Sequence, residues 1–232
     1  INGLAVAQEK YENTQGNQFE IKSLRNRGVS TIAKWDMSAT SKNCAETIPM
    51  LASWGLLDMY SSLEEFVFDI YKIYLNHNPQ TLMRGPDYAE LRVLCQESEN
   101  GPEELCKWNE AWESRIDKWQ KKRLYDGLSK VFLAYTEHAG LKTPRAYVRS
   151  TIQIWSETIE GIGELRNCFM HGVDTVTKEL SEFSELPHSM LFDFVEGKKL
   201  HIELRHLQSV ECFLDQLLTA LNISFIERET HN

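Results

Sequence analysis

Residues 61–79 read SSLEEFVFDIYKIYLNHNP, and this stretch decides the fold class. Leu63, Phe66, Val67, Ile70, Ile73 and Tyr74 recur at the intervals that gather apolar side chains on one face of an α-helix. Ser62 followed by Glu65 forms a capping box, in which each side chain can bond the other residue's backbone N–H, so a helix is expected to open there. Asn76-His77-Asn78-Pro79 closes it, because the residue before a proline avoids the helical region.

The same spacing continues downstream. Residues 80–101 read as loop with a helix across 87–98. Pro102 then starts a second long helix, with Glu103 and Glu104 suited to its positive dipole end. Leu105, Trp108, Trp112, Ile116 and Trp119 keep one face apolar, and the indole stripe reads as a packing face. Val131, Phe132 and Tyr135 extend the pattern until Gly140. Thr143-Pro144 begins the next helical stretch, which ends at His171-Gly172 and has a candidate break near Gly161 and Gly163. An acidic linker follows, from Asp174 to about Pro187. Residues 191–204 change to a period of two and predict a short hairpin. The last helix carries Leu207, Val210, Leu214, Leu217 and Leu221. The expected architecture is all-α, a helical bundle with a small late β-hairpin. Residues 1–45 are polar and weakly periodic, an extension with one or two short helices at most, and 46–232 form the helical domain.

Composition narrows the function classes. The chain has 232 residues, 25 Lys plus Arg and 34 Asp plus Glu, for a net charge of −9. That balance argues against a protein coated over its whole surface by nucleic acid and leaves room for a local basic site. The five cysteines, Cys44, Cys95, Cys106, Cys168 and Cys212, form no C-x-x-C pair. With no signal-peptide pattern and no long apolar run, the expectation is a cytoplasmic protein with no membrane segment. Phosphate-binding glycine loops, H-E-x-x-H and G-x-S-x-G are all missing. His201 and His206 lack a matching third ligand nearby in sequence, so they read as surface or interface histidines and no metal site is expected.

The segment Glu164-Leu165-Arg166-Asn167-Cys168-Phe169-Met170-His171-Gly172 stands apart. Ile159, Ile162, Leu165, Phe169 and Val173 share an apolar sector of the helical wheel, and Arg166 falls inside it. An arginine is seldom buried without a partner, so its placement needs a reason. Glu160, Glu164, Asn167 and His171 line a polar stripe. Guanidinium grips phosphate with a planar fork, and imidazole exchanges protons near neutrality. RNA brings its own nucleophile, the 2′-hydroxyl, so such a pair can cleave it without metal. On a continuous helix the two side chains point about 140° apart. They converge where the helix ends, which Gly172 favours, or where two subunits meet. The structural alternative is a buried arginine paired with a carboxylate and a histidine capping the helix.

Arg166, four intervening residues and His171 resemble the signature of the HEPN-domain superfamily of ribonucleases, with a polar residue after the arginine and a glycine after the histidine. No other Arg–His pair in the chain has this spacing. The segment from Ser62 to Tyr71 resembles the family's first long helix, and the likeness covers about residues 50–225. The resemblance, to HEPN proteins of the RiboL-PSP type, implies a helical bundle that forms a homodimer with a composite site at the dimer cleft. It implies metal-independent RNA cleavage with no cofactor, in toxin–antitoxin, anti-phage defence or RNA-processing systems. In that setting RNA is the substrate, and an antitoxin or defence-system protein is the partner. By the motif match, Arg166 binds and stabilises the scissile phosphate, His171 transfers protons, Asn167 orients the phosphate or His171, and Glu164 is a further candidate for orienting the site.

Residues 174–196 carry six acids against one base. Residues 114–130 are the basic counterpart. There Lys118, Lys121, Lys122 and Arg123 are candidates for tracking an RNA backbone, or else form the solvated face of a helix. The competing function is a non-catalytic HEPN-like interaction or regulatory module, which the acidic charge fits. A weaker option is a helical regulator that binds a small nucleotide.

Overall fold

Helical spacing of apolar residues governs most of the chain. A computed structural model of the protein describes residues 2–13, 18–23 and 29–230. In order these form α1 (Asn2–Glu12), β1 (Gln18–Ser23), β2 (Ser30–Asp36), α2 (Met37–His77), α3 (Ala89–Glu97), α4 (Pro102–Arg123), α5 (Leu128–His138), α6 (Ile152–Met170), α7 (Lys178–Ser184) and α8 (Leu204–Thr230). The fold is mostly helical with one small antiparallel sheet.

The expected helix start at Ser62 is corrected. The Asp36 carboxylate accepts the Ala39 N–H at 2.6 Å and the Ser38 hydroxyl at 2.7 Å, so the helix is capped far upstream. Ser61 and Ser62 face solvent in mid-helix, while Ala52, Leu56, Tyr60, Leu63 and Val67 keep a buried stripe running past them. A capping-box sequence acts as a cap only where the apolar stripe begins, and here the stripe has already begun. α2 also runs unbroken across residues 45 and 46. It ends as expected, with Asn78 donating its N–H to the Tyr74 carbonyl at 2.9 Å before a 3₁₀ turn at Pro79–Leu82.

α2 is the axis of the bundle, and α5, α6 and α8 pack on it. α8 runs parallel to α2. Leu207 reaches Gly55 near one end, and Phe225 lines a common cavity with Ile70 and Tyr74 near the other. α6 lies against α2 where Gly163 approaches Tyr60, and Ser156 ties it to α5 by donating to the Ser129 carbonyl at 3.2 Å. The tryptophan stripe of α4 does pack. Trp119 meets Tyr71 edge-on at 4.8 Å, and the Trp112 indole donates to Asn76 Oδ1 at 2.8 Å. Tyr71, Phe132, Ile159 and Leu217 are essentially inaccessible, and each contributes about 1.5–3 kcal/mol of burial. Among the described residues, α8 alone is long and apolar enough to cross a membrane by composition. Its Val210, Leu217, Ala220 and Leu221 are packed in this core.

Other boundaries differ from the sequence reading. The chain breaks at Gly127, which takes φ +82°, so α4 and α5 are separate helices. Thr143-Pro144 starts no helix. The Thr143 hydroxyl instead accepts the Ile152 N–H at 3.2 Å, and Thr151 is the cap of α6. The acidic linker contains α7, capped by Thr177. Residues 191–204 hold no strand. Phe192, Phe194 and Ile202 are buried while Leu191 and Val195 are exposed, so period-two burial here records an extended chain lying on the core. Its one bridge, Lys199 to Thr175, reaches back to the segment after α6. The two-stranded sheet lies near the N-terminus, where Gln18 pairs with Asp36 and Ser23 with Ser30.

Candidate nuclease site at the end of α6

Two glycines let α6 reach its site unbroken. A Cβ on Gly163 would come 2.9 Å from the Tyr60 hydroxyl, and one on Gly161 would come 2.5 Å from the Phe183 ring. These glycines mark close approach of neighbouring elements, which corrects the candidate break. Ile159, Ile162 and Leu165 anchor the buried face.

The helix ends in a Schellman motif. His171 is the C-cap residue, with φ −98° and ψ 4°, and donates its N–H to the Asn167 carbonyl at 3.0 Å. Gly172 takes φ +65°, the left-handed position that favours glycine. Its N–H reaches the Phe169 carbonyl at 3.2 Å, and that of Val173 reaches Cys168 at 2.8 Å. The chain then turns away, and the Asp174 carbonyl accepts the Leu200 N–H at 2.8 Å.

Arg166 is half-buried, with its guanidinium carbon 6.0 Å from the Tyr60 ring centroid, the outer limit of a cation–π contact. Its Nη1 donates to Asn167 Oδ1 at 3.2 Å. Among the described residues it has no ion pair with a carboxylate. Burial, reinforced by Glu64 and opposed by Arg166, holds the Tyr60 phenol up to about 12, so the ring that faces Arg166 is neutral. His171 is exposed, and its ring has no hydrogen-bond partner among the described residues. Glu164 is half-buried and accepts the Thr177 hydroxyl at 3.3 Å, an arrangement that joins α6 to the cap of α7. The fold thus brings Arg166 and Asn167 together. It places His171 at the adjacent helix end with no side-chain bond to either, its backbone N–H alone reaching Asn167, and directs Glu164 elsewhere.

The basic stretch divides. Lys118, Lys121 and Lys122 are exposed near the C-terminal end of α4. Arg123 is half-buried and paired with Asp126 at 2.8 Å. Arg115 is held by the Leu82 carbonyl at 3.2 Å and lies 4.6 Å from the Tyr88 ring centroid. His201 is exposed, whereas His206 is buried at the start of α8. Among the described residues, no three His, Cys, Asp or Glu side chains are grouped to hold a metal ion.

No family model, no curated protein and no solved structure matches this chain.

Proposed function

We propose that the protein is a metal-independent endoribonuclease of the HEPN type, acting as a homodimer in a toxin–antitoxin or anti-phage defence setting. The observation that carries this reading is a guanidinium without a carboxylate partner among the described residues, on the same helix end as an exposed, unbonded imidazole. A structural arginine at that depth would ordinarily be paired. Its open charge suits a scissile phosphate, and Asn167 limits the directions in which its fork points. In the proposed reaction His171 takes the proton of the RNA 2′-hydroxyl, and the 2′-oxygen attacks phosphorus. The 5′-oxygen leaves and takes a proton from water, giving a 2′,3′-cyclic phosphate. Arg166 stabilises the charge that develops on the phosphorane. Because the two side chains diverge along one helix, the proposed site joins Arg166 of one copy to His171 of the other.

Purified protein incubated with RNA in EDTA tests the reading. Cleavage is expected to persist, to leave cyclic phosphate ends and to vanish in His171→Ala. Equal cleavage by that variant would remove His171 from the mechanism. The alternative, a non-catalytic interaction module, is favoured by Trp54, which is 59% exposed, with Met50 one turn before it on α2. Loss of toxicity on Arg166→Ala in an otherwise toxic clone argues against that alternative.

A further inference from the structure

Two cavities lie at the end of the bundle where α2, α5 and α8 finish, and they meet at Gly140 and Arg228, which line both. The larger, about 680 Å³, is walled by Ile70, Ile73, Tyr74, Tyr135, His138 and Phe225. The smaller, about 350 Å³, presents Lys142, Arg145, Arg228 and Thr143. It gathers three cations against one carboxylate, Glu227, and the adjoining cavity adds a second, Glu229, in a chain whose net charge is −9. The local excess of positive charge, on an acidic protein, suits an anion.

The smaller cavity is pre-built. Ser224 donates to the Lys142 carbonyl at 2.7 Å and accepts the Lys142 N–H at 3.2 Å. The Arg145 N–H rests on both carboxylate oxygens of Glu227, at 3.2 and 3.4 Å, so the one acid in the cavity is already engaged. Arg228 donates from Nη1 to the Ala139 carbonyl at 2.8 Å and from Nε and Nη2 to Glu229 Oε1 at 3.0 and 2.7 Å. A guanidinium has five N–H donors, so two remain for a ligand. The side chains of Lys142 and Arg145 are exposed. The larger cavity supplies what an anion alone does not need. It has aromatic walls from Tyr74, Tyr135 and Phe225, and lies within the size range of ordinary small-molecule sites. Its wall is braced by a hydrogen bond between Tyr71 and His138 Nδ1 and by one from Tyr74 to the His138 carbonyl.

We propose that this paired cavity binds a small aromatic monophosphate. The ring enters the larger chamber among Tyr74, Tyr135 and Phe225, and the phosphate sits on Lys142, Arg145 and Arg228, with Arg228 at the junction of the two. Arg166 and His171 take no part in it.

Calorimetric titration of the full chain with AMP, UMP and phenyl phosphate tests the assignment, beside adenosine and inorganic phosphate as the separate halves. At least one aromatic phosphate is expected to bind saturably and at least about tenfold tighter than either half. Lys142→Ala combined with Arg145→Ala should lower its affinity to that of the ring alone and leave adenosine unaffected. Ile73→Glu, at a position 58% exposed, should weaken the aromatic phosphate by a similar factor and leave inorganic phosphate unchanged. If the double variant does not fold, Ile73→Glu carries the test alone. Absence of binding by all three aromatic phosphates, affinity equal to that of one half, or wild-type affinity in a folded variant overturns the proposal.

Discussion

Gly161 lies so close to Phe183 that a Cβ on residue 161 would come within 2.5 Å of three ring carbons. Alanine in a helix interior normally gains about 1 kcal/mol over glycine. Here the added methyl meets a ring that is 6% exposed and packed against Phe192 at 5.9 Å. Overpacking costs about 1–3 kcal/mol, so Gly161→Ala is expected to destabilise the fold. Denaturant unfolding of the single variant, and of the same change combined with Phe183→Leu, checks this. The cost should shrink in the smaller background, and a stabilised single variant would show the contact to be loose.

Gly172 controls the site through its backbone. With φ at +65°, an L side chain there costs about 1–2 kcal/mol, although a Cβ would meet nothing within 4 Å. Gly172→Ala is therefore expected to lower stability by that amount and, under the proposed activity, to lower RNA cleavage further by moving the His171 cap. Gly172→Asn should retain more of both, because asparagine tolerates this region better. Equal stability of the alanine variant and wild type would mean the turn relaxes freely.

His206 makes the fold sensitive to mild acid. Its ring is almost inaccessible, packs against both Phe192 and Phe194, and accepts the Glu203 N–H on Nδ1 at 3.1 Å. Nε2 is 3.5 Å from Asp193 Oδ1, too far for a good hydrogen bond. Burial first, then Arg205, pushes its pKa below the ordinary 6.5, while Asp193 and Glu203 pull it back in part. His138 is also held low, chiefly by burial. The unfolded chain then binds more protons, so stability is full above about pH 6.5 and falls as pH drops through that value toward the folded pKa values. Asp193, held low first by Arg205, loses its own contribution only below the ordinary carboxylate range. Urea unfolding at about pH 7.5 and about pH 5.5 should show lower stability in acid, with the slope reduced in His138→Gln. A flat profile would contradict the lowered pKa assigned to both rings.

The helical class was legible because apolar residues recur at helical spacing over most of the chain. Helix ends that depend on one glycine or one cap were read well where nothing downstream competed, as at Gly172 and Asn78. They were misread where tertiary burial overrode a local signal, as at Ser62 and Pro144. The segment 191–204 shows the same limit in reverse. Its alternation is real, but alternation reports only which side chains face the core and is silent about the strand's partner. At the site, Arg166 and Asn167 were legible together because they are sequence neighbours on one helix. The Glu164–Thr177 bond depends on the placement of α7, which no spacing reveals. Lys142, Arg145 and Arg228 carried no signal at all, since they meet across 82 residues through Ser224 and Glu227.

The four basic residues at the end of α4 are expected to separate into two functions. Lys118, Lys121 and Lys122 are exposed, and none has an ion pair among the described residues. Arg123 already spends its charge on Asp126, with both side chains about one-third exposed. Each lysine that contacts RNA phosphate should contribute about 0.7 to the slope of log affinity against log salt for a single strand. Replacing all three with alanine is therefore expected to flatten that slope by up to about two and to leave unfolding nearly unchanged. Arg123→Ala should do the opposite, sparing the slope and costing up to about 1 kcal/mol of stability. Binding isotherms for a short RNA at several salt concentrations distinguish the two. An unchanged slope in the triple lysine variant would mean that this end of α4 is only a solvated helix face.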